Sequence, residues 1–209
     1  MSFDITSLNR SEIRKEIRQQ RLDLSSEQQS QAATQLLTHF INAPKIQQAK
    51  NIALYLTNDG ELDTQTLINW CWQQGKNIYL PVLHPFSKGH LLFLHYTKQT
   101  PLVANKYGIA EPKLNLSSVI IPEQLDLICT PLVAFDSTGN RLGMGGGFYD
   151  RTLSIWQRNF RLDKSAKPYP IGLAHNCQHV TNLPSENWDV PLPEVITPQK
   201  HYQFFRENI

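Results

Sequence analysis

The residues that point most directly to chemistry form the run RLGMGGGFYDR at positions 141–151, which holds four of the ten glycines in the chain. Glycine tolerates positive φ and leaves no Cβ in the way of a ligand, so successive N–H groups can converge on an anion such as phosphate. Residues 148–153 have helical spacing, and a helix N-terminus would add further donors. The run therefore predicts a binding site for a polyphosphate.

The residues on either side of the glycines support this interpretation. Arg141 can meet phosphate oxygens, and Asp150 can hold a cation. The run matches neither the Walker pattern nor the dinucleotide-binding pattern, because the lysine and serine of the first and the glycine spacing of the second are absent. A glycine turn without a ligand is the structural alternative.

The first predicted helix carries four arginines, Arg10, Arg14, Arg18 and Arg21, at steps of four, four and three residues. These steps keep all four side chains within one stripe of a helix. Such a stripe fits a solvated charged face, a docking surface for RNA or an acidic partner, or a set of phosphate ligands. The residues alone leave these alternatives open.

Capping residues mark the starts of two helices at the beginning of the chain. Asn9 with Glu12, and Ser25 with Gln28, have the spacing of a capping box. The second helix is expected from about residue 26 to 42, because Pro44 disfavours helical backbone in the residue before it.

Beyond these helices, strands and helices alternate along the chain. Strands are predicted at 51–56, 77–82, 90–96, 126–133 and 171–174, and helices at 64–74 and 149–158, with a turn at 58–60 and a C-terminal glycine cap at position 75. The segment 99–122 is expected to be a loop over the site. This order predicts an α/β fold, with a mostly parallel sheet sandwiched by helices. The glycine run would then lie at the carboxyl end of a strand, where such sheets bind ligands.

Composition narrows the class of protein. The 209 residues are expected to form one domain, and a formal net charge of +2 argues against nucleic-acid binding by the fold as a whole. The three cysteines are widely spaced, as in reduced cytosolic proteins. Neither a signal peptide nor a membrane-spanning run is evident, so we expect a cytoplasmic protein without a membrane partner.

The chain resembles the 5-formyltetrahydrofolate cyclo-ligases, also called methenyltetrahydrofolate synthetases. The glycine-rich run matches the motif of that family nearly residue for residue. Further matching motifs are RSEIR at 10–14, GELDT at 60–64, YLP at 79–81, IAEP at 109–112, AFD at 134–136 and WD at 188–189. The resemblance thus extends over most of the chain, and it implies a fold similar to the sugar-phosphate isomerase and CoA-transferase type.

The resemblance also implies roles for individual residues. The expected ATP-binding residues are Arg10, Arg14, Arg141, Leu142, Gly143, Met144, Gly145, Gly146, Gly147, Phe148 and Tyr149. The residues expected to contact the folate are Leu56, Glu61, Met144 and Phe148. Those expected to act in catalysis are Arg141, Tyr149 and Asp150, and those expected to hold Mg²⁺ are Asp150 and Asp189.

Several of these residues have a structural interpretation as well. Asp150 in a first helical turn favours the helix dipole, and Asp189 could be an ordinary loop acid. Glu61 in a turn would usually be exposed, whereas Phe148 and Tyr149 would usually pack a helix against a sheet.

The activity implied is ATP-driven cyclisation of 5-formyltetrahydrofolate to 5,10-methenyltetrahydrofolate, with Mg²⁺ and release of ADP and phosphate, in an enzyme expected to be a monomer. Phosphoryl transfer requires mainly alignment and charge neutralisation, which suits a site of arginines, amides and Mg²⁺. Many members of the family have lysine at the position of Gly146 and tyrosine at that of Phe148.

Two other functions and one rival metal site remain as alternatives. A kinase or ligase for another small molecule would share the glycine run but differ near Leu56 and Glu61. A nucleic-acid-binding protein would use the arginine stripe. A zinc site at His175, Cys177 and His179 lacks an evident fourth ligand.

Overall fold

A computed structural model of the protein describes residues 8–204. Two capped helices open the fold, as the sequence predicts. Helix α1 (Arg10–Leu22) begins with a complete capping box, in which the Asn9 side chain accepts from the Glu12 amide and the Glu12 carboxylate accepts from the Asn9 amide. Helix α2 (Ser26–Asn42) begins with a capping box of Ser25 and Gln28.

The remaining elements alternate along the chain. Three further helices are α3 (Pro44–Gln48), α4 (Gln65–Gln73) and α5 (Phe148–Leu162). The first strands are β1 (Asn51–Ala53), β2 (Asn77–Leu83), β3 (Leu91–Tyr96), β4 (Leu102–Ala104), β5 (Ala110–Pro112) and β6 (Val119–Ile120). They are followed by β7 (Leu127–Pro131), β8 (Ala134–Phe135), β9 (Arg141–Leu142), β10 (Tyr169–Leu173), β11 (Glu194–Ile196) and β12 (His201–Gln203). No helix among the described residues combines the length and the apolar character needed to cross a membrane.

Eight of the strands form one sheet, in the order β12-β11-β10-β7-β1-β2-β3-β6. The five central strands, from β11 to β2, pair in parallel, whereas β12, β3 and β6 join antiparallel at the two edges. The sheet is therefore mixed and mostly parallel, and the predicted α/β class is confirmed. The predicted likeness to the sugar-phosphate isomerase and CoA-transferase type stays a prediction.

Helices cover both faces of this sheet. Alternate residues of a strand point to opposite faces, so Ile52 joins the core with Phe40 of α2 and Leu67 of α4. Its neighbour Ala53 joins the opposite core, which contains Trp156 of α5. Helix α1 packs instead against the β8–β9 hairpin through a third apolar cluster. This arrangement brings the arginine stripe of α1 close to the glycine run that follows β9.

Three segments differ from the sequence-based expectations. Strand β1 ends at Ala53 rather than at residue 56, so Leu56 belongs to the connection toward the turn at 58–61. The segment 99–122 is not a plain loop, because it contains the antiparallel β4–β5 pair and β6. The glycine run does not directly follow a strand of the main sheet, because the β8–β9 hairpin lies between it and β7.

Candidate active site

A cavity of about 1420 Å³ lies where the glycine run, α1 and several loops meet. All but one of the site residues named from the sequence line this cavity, although they come from segments far apart in the chain. The exception is Leu142, whose buried side chain packs in the cluster with Ile13 and Ile17 of α1. Leu142 therefore supports the glycine run from beneath.

The glycine run, residues 143–147, forms an open loop that presents backbone donors. Gly145 and Gly147 have positive φ values of 94° and 65°, which glycine adopts without strain. Gly147 is the N-cap of α5, and it offers no side-chain cap, unlike the capped starts of α1 and α2. Within residues 8–204, the amide N–H groups of residues 144–147 have no acceptor. The loop and the start of α5 can therefore receive an anion.

Arg14 supplies a cation at this loop. Its Nε donates to the carbonyl of Gly143 at 2.8 Å, and its guanidinium lies beside Gly145. The two terminal nitrogens of Arg14 have no acceptor in the described part of the chain. Burial lowers the pKa of Arg14, and the nearby positive charge of Arg10 lowers it further. An incoming anion would relieve this repulsion.

Arg10 is already paired, in contrast to Arg14. Its Nη1 and Nη2 donate to the two carboxylate oxygens of Asp189, at 2.5 and 3.0 Å. The Glu186 amide also donates to Asp189 Oδ2 at 2.8 Å. Burial alone would raise the pKa of Asp189, but these hydrogen bonds lower it overall. Both oxygens of Asp189 are thus in use, so Arg10 could meet phosphate only by sharing or leaving this carboxylate.

Asp150, in the first turn of α5, has a different arrangement. Its Oδ1 accepts from Arg141 Nη2 at 2.6 Å and from the Val190 amide at 3.3 Å. Arg141 is buried and also donates from Nε to the Val190 carbonyl. The other oxygen of Asp150, Oδ2, accepts no hydrogen bond from residues 8–204.

The two acidic residues therefore fit Mg²⁺ unequally. The described residues contain no group of three or more His, Cys, Asp or Glu side chains that could hold a metal. Mg²⁺ commonly uses only one or two carboxylates and completes its shell with phosphates and water. The available oxygen of Asp150 fits that chemistry, whereas Asp189 is committed to Arg10.

The other half of the arginine stripe holds the turn that carries Glu61. Arg18 donates to both oxygens of Asp59, and Arg21 donates to the Asp59 carboxylate and carbonyl. The hydrogen bond from Arg18 is the main cause of the lowered pKa of Asp59. Asp59 and Gly60 both have positive φ, so the turn has an unusual backbone that these two arginines hold in place.

Glu61 and two tyrosines form the end of the cavity next to this turn. Burial raises the pKa of Glu61 to about 7, against the opposing effect of Arg21. Burial also raises the pKa values of Tyr55 and Tyr149, and the charge of Glu61 adds to both shifts. A carboxyl group with such a pKa exchanges its proton near neutrality. It accepts hydrogen bonds from a polar ring when ionised and can donate one to the ring when protonated.

Sequence reasoning missed several residues that line the cavity. These are Tyr55, Arg18, Asp59, Tyr107 and Trp188. The stripe spacing already included Arg18, and Trp188 precedes Asp189 in a matched motif. Tyr107 lies in the segment 99–122, which the sequence predicts to be a loop over the site, and the loop between β4 and β5 brings it into the lining.

The alternatives involving cysteine or zinc gain no support. The described residues contain no group of three or more His, Cys, Asp or Glu side chains around His175 that could hold a metal. Cys71 and Cys129 are buried, and burial raises the pKa of the Cys71 thiol to about 12. Such thiols are poor nucleophiles. The arginine stripe is also not a solvated face, because each of its four members contacts a specific partner.

Comparisons with known proteins agree with one another. Residues 6–198 match the model of the 5-formyltetrahydrofolate cyclo-ligase family. The chain is 53% identical over 187 residues to the 5-formyltetrahydrofolate cyclo-ligase of Haemophilus influenzae, which covers 90% of this chain and 96% of the relative. The enzyme of the same name from Escherichia coli K12 is 51% identical over 188 residues, covering 90% and 100%. The NMR structure of Aquifex aeolicus 5,10-methenyltetrahydrofolate synthetase is similar with a TM-score of 0.78 and 28% identity, covering 96% of this chain and 95% of that one.

Proposed function

The chain belongs to the 5-formyltetrahydrofolate cyclo-ligase family, and we propose that it converts 5-formyltetrahydrofolate to 5,10-methenyltetrahydrofolate while ATP becomes ADP and phosphate. One observation carries the nucleotide part of this proposal. Among residues 8–204, the terminal nitrogens of Arg14, the amides of the glycine loop and the start of α5 all lack an acceptor or a cap, and they lie together in the cavity. A triphosphate supplies the acceptors that these donors lack.

The chemistry begins at the formyl oxygen, which is a poor leaving group. In the proposed reaction this oxygen attacks the γ-phosphorus and the bond to ADP breaks. The N10 nitrogen then attacks the formyl carbon, phosphate leaves with the former formyl oxygen, and N10 loses its proton to solvent. The five-membered ring closes with a positive charge shared between the two nitrogens. Every step needs alignment and neutralised phosphate charge rather than a protein nucleophile.

The residues of the phosphate end divide this work. Arg14 and the amides of the glycine loop hold and align the phosphate groups. Arg141 fixes the Asp150 carboxylate through its ion pair, and Asp150 would hold Mg²⁺ through the oxygen that is not in use. When bound, the ion would withdraw negative charge from the phosphates. Asp189 acts on Arg10 in this proposal, and it reaches the metal only if that pair opens.

The residues of the turn end face the folate. Glu61 can accept the N–H groups of the pterin ring, and Phe148 and Leu56 offer apolar surface in the same cavity. Tyr149, the residue after Phe148, is close enough to Glu61 for their charges to interact. A hydroxyl in this cavity, within electrostatic reach of Glu61, suits the role in catalysis that the resemblance implies.

A single assay tests the function directly. Purified protein is mixed with 5-formyltetrahydrofolate and magnesium-ATP, and the methenyl product is followed by its absorbance while ADP is measured in parallel. We expect one ADP per product and no product without ATP. ADP release without methenyl product would point to a kinase or ligase acting on another molecule. Binding of RNA in competition with the folate would favour the nucleic-acid alternative.

A further inference from the structure

Trp188 is a large aromatic residue at the edge of the cavity, and no residue in the described part of the chain pairs with its ring. Trp188 is 69% exposed, and it lines the same cavity as Arg10 and Arg14. Its indole makes no hydrogen bond or ring contact with any residue from 8 to 204. An exposed ring in a binding cavity offers a flat surface for a flat ligand.

The backbone that carries this ring is held firmly. The Asp189 amide donates to the Glu186 carbonyl at 3.0 Å, and the Glu186 amide donates back to the Asp189 carboxylate at 2.8 Å. Arg10 anchors the same turn through its two bonds to Asp189 and a longer one to the Pro184 carbonyl. The position of Trp188 is thus fixed before any ligand binds.

Helix α1 defines the direction in which ATP must lie. Arg10 holds the turn next to Trp188, whereas Arg18, eight residues later, holds the turn next to Glu61. At 1.5 Å per residue, these two anchor points are about 12 Å apart along the helix. Arg14, the arginine with unpaired nitrogens, lies between them.

The proposed reaction determines the orientation of ATP in the cavity. The γ-phosphate must face the folate at the Glu61 end for phosphoryl transfer. The base must then extend toward the opposite end, where Arg10 holds the turn of Trp188. We propose that Trp188 stacks on the purine base of ATP and so selects a nucleoside triphosphate over a bare polyphosphate. This inference rests on the proposed function, because it assumes that the bound polyphosphate is ATP.

The test compares two ligands that share their phosphates but differ in the base. Dissociation constants for magnesium-ATP and for magnesium with inorganic tripolyphosphate are measured by calorimetry for the wild type, Trp188→Ala and Trp188→Phe. Phe86→Ala serves as the matched control, because Phe86 is exposed but does not line the cavity. Indole emission is recorded during both titrations.

We expect Trp188→Ala to weaken ATP binding about 5- to 100-fold, the range for loss of one base-stacking ring. Tripolyphosphate binding should change less than about twofold, and Trp188→Phe should retain most of the ATP affinity. ATP but not tripolyphosphate should quench the emission, and Trp188→Phe should lose that quenching.

Two results would overturn the inference. Equal losses for ATP and tripolyphosphate in Trp188→Ala would mean that Trp188 supports the turn and does not contact the base. Unchanged ATP binding in Trp188→Ala would mean that the base lies elsewhere. If the wild type makes methenyl product and Trp188→Ala binds ATP as tightly as the wild type, only this inference is wrong. If the wild type binds no ATP, the proposed function is wrong as well as this inference.

Discussion

At the scale of single residues, the two candidate metal carboxylates have different surroundings. Asp150 keeps one oxygen without a partner in the described chain, and the ion pair with buried Arg141 orients that oxygen. Both carboxylate oxygens of Asp189 accept hydrogen bonds from Arg10, and one also accepts from the Glu186 amide. The ion pairs therefore distinguish Asp150, which we propose as a metal ligand, from Asp189, whose carboxylate holds Arg10.

We predict that Asp150→Asn lowers the turnover rate by about 100-fold or more, because the amide loses the charge that would hold Mg²⁺ on the phosphates. The asparagine oxygen can still accept from Arg141, but buried Arg141 loses its ion-pair partner, so the melting temperature should fall while unfolding stays cooperative. Product formation across a magnesium titration measures the effect, with thermal unfolding as the check on folding. Wild-type turnover in this variant would remove Asp150 from the metal site.

The backbone of Gly146 tolerates a side chain, but the space for its Cβ is occupied. Its φ lies outside the positive region that glycine favours, so the backbone accepts a side chain. An added Cβ, however, would lie 2.7 Å from two ring carbons of Phe148. Any substitution at Gly146 must therefore turn the Phe148 ring, which is half-buried beside Tyr107.

We predict that Gly146→Lys binds ATP as tightly as the wild type or more tightly, because its ammonium group adds a phosphate ligand. The folate Michaelis constant should rise severalfold, since the Phe148 ring is displaced from its place at the folate. Gly146→Ala is the matched control, because it brings the same Cβ without the charge and should affect only the folate. Loss of ATP binding together with a lower melting temperature in Gly146→Lys would contradict this prediction.

We predict that Glu61 makes folate binding sensitive to pH. Its pKa is raised from 4.5 to about 7, so the carboxylate is lost as pH falls through 7. If the ionised form accepts the pterin N–H groups, the folate Michaelis constant at saturating ATP should rise about tenfold from pH 8 to pH 6. Glu61→Gln should bind folate more weakly and show a flat profile over this range. A wild-type constant that falls with falling pH would show that the protonated form binds.

At the scale of elements, α1 joins the two ends of the site. Its arginine stripe contacts the 184–189 turn, the glycine loop and the turn at 58–61 in that order. Arg21 also reaches the Leu132 carbonyl beyond β7, and it is fully buried. Because a helix is stiff over this length, α1 keeps the two ends that we propose for the nucleotide and the folate at a fixed separation.

We predict opposite kinetic effects for two neighbouring arginines of this helix. Arg14→Ala should raise the ATP Michaelis constant about tenfold or more and the folate constant less, because charged hydrogen bonds to phosphate are lost. Arg18→Ala should raise the folate constant only severalfold, because it loosens the turn that carries Glu61 while Arg21 still holds Asp59. The ATP constant should stay nearly unchanged. Each variant controls for the other, as both remove one arginine from the same helix face. Identical effects on both constants would mean that α1 acts as one structural unit.

At the scale of the whole molecule, the cavity is assembled from distant parts of the chain. Its lining comes from α1, the turn at 58–61, the β4–β5 loop, the glycine run and the segment 186–190. These parts meet above a mixed sheet whose two cores hold the elements in place. Ligands that contact several of these segments should therefore stabilise the fold as a whole. The single domain and the monomeric state stay predictions.

We predict that magnesium-ATP at about 100 times its dissociation constant stabilises the protein by about 2.7 kcal/mol. For a chain of this size, that corresponds to a rise in melting temperature of about 5 to 10 °C. Arg14→Ala at the same ATP concentration should show a clearly smaller rise. A wild-type melting temperature that does not respond to magnesium-ATP would argue against a nucleotide site in this cavity.

The sequence by itself determined the features that depend on neighbouring residues. Both capping boxes, the left-handed Gly75 after α4 and the positive-φ glycines before α5 follow from local sterics and local hydrogen bonds. The arginine stripe is likewise a local property, because helical periodicity places those side chains on one face whatever they contact. The resemblance to the cyclo-ligase family rests on such short motifs, and the family comparison confirms it.

Only the tertiary structure decided what depends on segments distant in sequence. It made the edge strands antiparallel, ended β1 at Ala53 and inserted the β8–β9 hairpin before the glycine run. It also left the two terminal nitrogens of Arg14 without an acceptor among residues 8–204, while Arg10 binds Asp189, 179 residues away. The pKa of Glu61 near 7 arises in the same way, because desolvation is set by all the atoms that surround a group in the fold. Local sequence specifies which groups are available, but packing decides which of them remain free to bind a ligand.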